Sequence, residues 1–231
     1  AVAPFDIAGD QAEVELALRW PALRSRALRL DVVGGAAAIQ VNSLTPGVAG
    51  GRDLVVDDRV HVAFAALEGV RRDRLGAFEG RLELRRGMGG LGASEAGDAE
   101  LSREDGDGTF WSLRAELERT VPLPYGFGVW AKGWGQAADR PLLASEEFSA
   151  GGAELGRAYH PSEISGDMGA GVSAELRWAE TLGWWGWQAP VEVYGFADFA
   201  EVRNLDGGAP VHAALASAGA GLRAQLPGRV A

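Results

Sequence analysis

From Gln11 to Trp20 the chain alternates, with Ala12, Val14, Leu16, Leu18 and Trp20 on one face and Glu13, Glu15 and Arg19 on the other. A period of two places successive side chains on opposite sides of an extended chain, so this stretch predicts a strand with one apolar and one polar face. The next sets Leu28, Leu30, Val32 and Gly34 against Arg29 and Asp31 and runs on through an alanine-rich stretch to Ser43. A third places Val60, Val62, Phe64 and Ala66 opposite Arg59, His61, Ala63 and Ala65, and a fourth places Phe78, Gly80, Leu82 and Leu84 opposite Glu79, Arg81, Glu83 and Arg85. The fourth could be drawn as a charged helix, but strict alternation with glycines on both sides favours a strand.

The same scheme continues to the end of the chain. Trp111, Leu113, Ala115 and Leu117 oppose Ser112, Arg114, Glu116 and Glu118, and Phe127, Val129, Ala131 and Gly133 oppose Trp130, Lys132, Trp134 and Gln136. From Met168, the residues Ala170, Val172, Ala174, Leu176 and Trp178 oppose Gly169, Gly171, Ser173, Glu175 and Arg177. Val193, Gly195, Ala197 and Phe199 oppose Glu192, Tyr194, Phe196 and Asp198, and a ninth strand sets Ala214, Ala216, Ala218, Ala220 and Leu222 against Ser217, Gly219, Arg223 and Gln225.

The connections alternate too. Short turns near 21–25, 70–76 and 121–126 interleave with long segments at 44–53, 87–108 and 138–167. One plain rim and one decorated rim is the layout of an up-and-down barrel. Residues 45–53 read as a loop from their Pro and Gly, and 87–108, rich in Gly, Asp, Glu and Ser, as a solvated, mobile one. The connection at 179–190, a little long for the plain rim, carries Trp184, Trp185 and Trp187, which suit the headgroup layer as an aromatic belt. A sandwich or soluble barrel can also hold nine alternating strands, but it has no need of charges on one face of nearly every strand, which a wet lumen explains.

Composition narrows this further. The chain has 34 glycines and 8 tryptophans in 231 residues, no cysteine and a net charge of −10. Disulfides and thiolate metal sites are excluded, and a nucleic-acid partner lacks the basic face it needs. His61, His160 and His212 show no metal-ligand spacing. No run of about 20 apolar residues exists, so no transmembrane helix is expected, which leaves barrel strands open. No Gly-x-Ser-x-Gly elbow occurs, Gly151 and Gly152 are not followed by the Gly-Lys-Ser/Thr of a phosphate loop, and the adjacent Glu146 and Glu147 read as solvated loop carboxylates. Catalytic, cofactor and metal residues are therefore expected to be absent. The opening AVAPFDIAGD lacks the basic and apolar regions of an export signal, and LPGRVA stops after a turn, so truncation at both ends is expected.

The stretch RPLLASEEFSAGGAELGRAYHPSEISGDMGAGVSAELRW, followed by GFADFAEV, resembles the C-terminal part of the barrel in two-partner secretion transporters of the FhaC/ShlB/HecB haemolysin secretion/activation type. The matching pieces are LLASEEFSAGG, GRAY in place of an Arg-Gly-Tyr/Phe motif, SGDMG leading into a strand, and Phe196, Asp198 and Ala200 in place of Phe-x-Asp-x-Gly. The resemblance implies an all-β, antiparallel transmembrane β-barrel of sixteen strands. About nine of these, the sixth to the fourteenth, lie in residues 1–231, and the substrate-receiving POTRA domains and last strands lie outside them. It implies that the loop at 138–167 folds back into the lumen, where Arg157 pairs with Asp198. Arg157, Tyr159, Asp198 and Phe196 then form a lumenal lock, and Phe148, Gly151, Gly152, Gly166 and Asp167 belong to the loop motif.

The implied function is export of a large secreted partner protein through the outer membrane, in contact with lipid and without cofactor or catalysis. The rivals are a BamA-type assembly factor, a passive porin and a soluble β-structured binding domain. Two departures bear on docking: Ala158 and Ala200 each add a methyl where the family has glycine, at positions where backbones can approach closely. An open half-barrel has unpaired edges in lipid, so residues 1–231 alone are not expected to insert as a working pore.

Overall fold

A computed structural model describes residues 8–46, 52–184, 187–205 and 212–224. Among them, nine strands form one antiparallel sheet: β1 (Ala8–Arg24), β2 (Leu28–Pro46), β3 (Arg52–Asp73), β4 (Gly76–Gly87), β5 (Trp111–Pro122), β6 (Phe127–Ala138), β9 (Met168–Trp184), β10 (Trp187–Arg203) and β11 (His212–Ala224). Each strand pairs with its neighbour in the chain, except that β6 pairs with β9 across a short separate hairpin of β7 (Phe148–Ala150) and β8 (Ile164–Gly166). This is the up-and-down order that alternating short and long connections predict.

The sheet is apolar outside and polar inside. Val14, Leu16, Leu18, Leu113, Val172, Leu176, Val193, Phe199 and Leu222 are exposed, while Asp31, Glu83, Arg85, Ser112, Gln136, Ser173, Glu175 and Asp198 on the other face are buried. A soluble sandwich does the reverse, because burying apolar area is what stabilises it in water. An outward apolar band and a polar interior are what a wall between lipid and an aqueous lumen requires.

Several strands run further than the alternation indicates. Thr45 pairs with Asp53 and Pro46 with Arg52, so both ends of the stretch read as a loop at 44–53 belong to β2 and β3, and 47–51 lie outside the described residues. Likewise β9 and β10 extend the ladder to Trp184 paired with Trp187, so all but residues 185–186 of the connection expected at 179–190 belongs to these strands. Backbone pairing continues there although apolar and polar residue types no longer alternate in the sequence. Trp185, residues 1–7 and residues 225–231 lie outside the described residues, as do the side chains of Trp184 and Trp187, and with them the aromatic belt.

The upper half of β3 breaks the polar-inside rule. Val60, Val62, Phe64 and Ala66 face inward and are almost fully buried, while Arg59 and His61 face outward. Residues 88–110 cover Val60 and Val62, while Phe64 and Ala66 pack with Val33; most of 88–100 is exposed, as its composition suggests, but Phe110 at its end is fully buried. Phe110, Leu142 and Leu143 pack with Ile39, Val60 and Val62 into one apolar cluster inside the wall. The same loop continues the hydrogen bonding of β3 above the end of β4: Ser94 N–H donates to Arg59 O (2.8 Å), Arg59 N–H to Ser94 Oγ (3.0 Å) and Asp57 N–H to Glu100 O (2.7 Å). Composition marks a segment as polar without saying whether its backbone finds partners, and here it does.

Candidate functional site

The segment joining β6 to β9 enters the interior. After Ala138 it makes a 3-10 turn at Ala144–Glu146, forms β7, turns through residues 151–163 and returns as β8 into β9. The tip needs glycine. Gly151, Gly152 and Gly156 have φ of 117°, 101° and 83°, values that side chains with a Cβ rarely adopt. A Cβ at Gly151 would also collide with His160 O, and one at Gly156 would lie 2.7 Å from Leu215 Cδ1.

The wall makes room for the loop. Gly169 and Gly171 face inward on β9, and a Cβ on either would overlap the Phe148 ring or the Leu155 side chain respectively. Ala150, Leu155, Ala200 and Leu215 form a buried cluster, against which Trp134, Phe148 and Ile164 pack. The inward Trp134 of the polar face of β6 is thereby a lumenal packing residue.

Arg157 is the polar centre of the tip. Its Nε–H and Nη2–H donate to both oxygens of Asp198 (3.2 and 2.9 Å), Nη2–H also to Ser173 Oγ (2.6 Å), and Nη1–H to Glu175. The guanidinium lies 3.9 Å above the Phe196 ring, a cation–π contact. Asp198 is buried, and it also accepts from the backbone N–H groups of Gly156 (3.2 Å) and Arg157 (3.0 Å) and from the hydroxyls of Ser173 (2.7 Å) and Ser217 (2.9 Å). Burial works against the charge of Arg157, but the hydrogen bonds and charges of Asp198 and Glu175 outweigh it and raise its pKa. Tyr159 Oη donates to Ala216 O (3.2 Å), tying the tip to β11. The structure thus brings Arg157, Tyr159, Phe196 and Asp198 to one place.

Neither added methyl obstructs this arrangement. Ala158 is exposed and keeps an ordinary negative φ, and Ala200 is fully buried with its methyl inside the apolar cluster under the tip. Of the remaining motif residues, Phe148 lies against Gly169, and a Cβ at Gly166 would lie 2.7 Å from Asn204 Oδ1 and 2.9 Å from Arg203 O. Glycine at 166 lets β8 pass close to the end of β10.

Two further carboxylates hold the base of the loop. Glu146 is fully buried, where a solvated loop residue is expected, because two wall arginines converge on it. Arg85 donates through Nε (3.0 Å) and Nη2 (2.7 Å), and Arg114 Nη2 donates to both its carboxylate (2.7 Å) and its backbone oxygen (2.9 Å). Asp167, also fully buried, accepts from Arg103 (2.5 Å), from Leu142 N–H (2.7 Å) and from Leu205 N–H (2.7 Å). Arg103 belongs to the loop at 88–110 and also donates to Glu147 (2.7 Å) and Leu142 O (3.1 Å). Glu147 is partly buried, its side chain largely so. Desolvation pushes its carboxyl up, more than Ser165 and Arg103 pull it down, and the charge of Asp167 adds to the rise.

Sequence reasoning reached Arg157 and Asp198 through motifs but missed Arg85, Arg103, Arg114 and Glu146 as partners. Alternation does place Arg85 and Arg114 on the inner face. Nothing in the sequence pairs residues 61 and 32 positions apart with Glu146, and Arg103 sits in a segment without periodicity. No cluster of His, Cys, Asp and Glu that could hold a metal occurs among the described residues.

The model of one protein family, haemolysin secretion/activation protein ShlB/FhaC/HecB, matches residues 5–224. The chain belongs to this family. Its members are outer-membrane β-barrel transporters of Gram-negative bacteria, and the chain is an outer-membrane barrel segment. Among solved structures it is similar to CdiB from Escherichia coli, with a TM-score of 0.80 and 18% identity over 95% of this chain and 40% of that one. It is also similar to CdiB from Acinetobacter baumannii, with a TM-score of 0.71 and 19% identity over 96% of this chain and 37% of that one. The chain thus spans about two fifths of the length of these relatives. At that identity the likeness is one of fold. No curated protein sequence matches significantly.

Proposed function

We propose that this chain supplies wall strands and the plug loop of a pore that exports a large secreted partner protein across the outer membrane, the two-partner secretion activity. The observation that carries this reading is the Arg157–Asp198 pair, which docks an inward loop on a wall that is polar inside and apolar outside. A passive pore needs no such lock, whereas a protein channel must be closed at rest and opened by its cargo. The bidentate fork fixes the guanidinium in orientation as well as position. It also satisfies two backbone N–H groups of the tip through the same carboxylate.

The partners in this reading are the exported protein, which passes the lumen, and outer-membrane lipid, which covers the apolar face. The inner wall provides hydrogen-bonded charges along the lumen, and the role in this reading is conduction. The test uses the full-length transporter with its exoprotein in a Gram-negative host. Arg157→Ala is expected to reduce secretion at least about tenfold while heat-modifiable mobility shows the barrel assembled. Secretion at the wild-type level by that variant would overturn the reading.

A further inference from the structure

The loop between β6 and β9 is held in two different ways at its two ends. Its tip, residues 151–162, is held by Arg157, by Tyr159 and by Leu155 against the glycine face of β9. Its base is held by fully buried carboxylates whose partners lie on other elements. Glu146 is gripped by Arg85 of β4 and Arg114 of β5, Asp167 by Arg103, and the side chains of Leu142 and Leu143 lie in the apolar cluster with Phe110 and Val60. Arg103 is in turn part of a loop bonded to the wall, since Ser102 N–H donates to Asp58 Oδ1 (3.0 Å) and Ala144 N–H to Ser102 Oγ (3.0 Å).

We propose that Glu146, Asp167 and Arg103 are positioning residues that anchor the base of the plug loop to the wall, so that only the hairpin tip leaves its seat when the pore opens. This rests on the export reading above. Releasing the base would strand the carboxylates of Glu146 and Asp167 and the guanidinium of Arg85 together, and would expose Phe110, Leu142 and Leu143 to water. Isolated buried charges without partners are among the costliest arrangements in a protein. Releasing the tip separates one arginine from its carboxylates and opens a smaller apolar cluster, two of whose four buried members are alanines, and the separated polar groups then face a hydrated lumen that can solvate them. The glycines at 151 and 152, with φ above +100°, stand where the tip joins β7 and supply the pivot.

Residues 1–231 contain no cysteine, so in the full-length protein, with any cysteine elsewhere replaced by serine, pairs can be introduced singly and the oxidising periplasm forms them. Leu155→Cys with Gly171→Cys joins tip to wall, because a Cβ at Gly171 falls against the Leu155 side chain. Ser102→Cys with Ala144→Cys joins the base to the neighbouring loop. With closure of each disulfide verified by thiol labelling, the tip bridge is expected to abolish secretion reversibly with reductant, and the base bridge to leave secretion within about twofold of wild type. Block by the base bridge would overturn the inference while leaving the export reading intact. Secretion through both bridges would instead remove the movable plug itself, and the inference with it.

Discussion

Arg157 on the loop and Asp198 on β10 meet as a two-point fork, Nε and Nη2 each donating to a different carboxylate oxygen, across 41 residues of chain. Asp198 gains backbone donors from the loop in the same contact, so the pair joins loop to wall through more than opposite charge. A double-mutant cycle should show this. Removing one partner of a buried pair costs about 3–5 kcal/mol because the other is left unpaired, so Asp198→Ala and Arg157→Ala should each be severe and their combination much less than additive. The temperature at which the assembled barrel loses its folded mobility measures the coupling. Additive losses would mean that the two side chains act independently.

Gly169 and Gly171 give a route to the same docking that leaves every charge in place. A side chain at either position overlaps Phe148 or Leu155, both of which belong to the loop. Gly171→Val should therefore unseat the tip while β9, whose pairing with β6 and β10 needs only backbone, stays in the wall. The expected outcome in the complete barrel is a larger and noisier conductance in planar bilayers, with entry of bulky antibiotics into cells. Wild-type conductance would show that Leu155 can move aside without loosening the tip.

The wall was legible in the sequence because each strand obeys a local rule. Alternation in β9 and β10 alone puts Ser173, Glu175 and Asp198 on one face, and all three line the site. The base was not legible, for a physical reason. Glu146 is buried by arginines from β4 and β5 that approach it only once the sheet has curved around the loop, and Arg103 reaches Asp167 from a segment with no period at all. The same holds for Val60 and Val62, whose apolar side chains face inward because another loop covers them. Polarity patterns report the solvent a strand faces, and here one patch of the lumen is filled with protein.

Glu147 makes the base sensitive to pH. Its carboxyl titrates higher in the docked loop than free, since burial outweighs Ser165 and Arg103. A raised pKa means that the protonated form is favoured by docking, so the contribution of this group is fully present below its ordinary pKa and is lost as pH rises through the docked value. Glu147→Gln, which stays neutral, should match wild type in acid and protect the amides of residues 142–147 from hydrogen exchange better than wild type at neutral pH. If the variant and wild type differ equally at all pH values, Glu147 carries no such linkage.

The two alanines that stand where the family has glycine should behave differently from each other. Ala158 is exposed on an unstrained backbone, so Ala158→Gly removes no buried surface and gains only chain entropy in the undocked loop; its effect should be a destabilisation of at most about 1 kcal/mol. Ala200 is fully buried against Ala150, Leu155 and Leu215, so Ala200→Gly deletes a methyl from the packed seat of the tip. The lost transfer energy is about 0.8 kcal/mol and the small void adds to it, roughly a fourfold or greater rise in the undocked fraction. Spin labels on the tip and on β11 would read that fraction directly. A tip held equally well by glycine at 200 would mean that the methyl is merely tolerated there, and that the polar contacts of Arg157 set the docking strength alone.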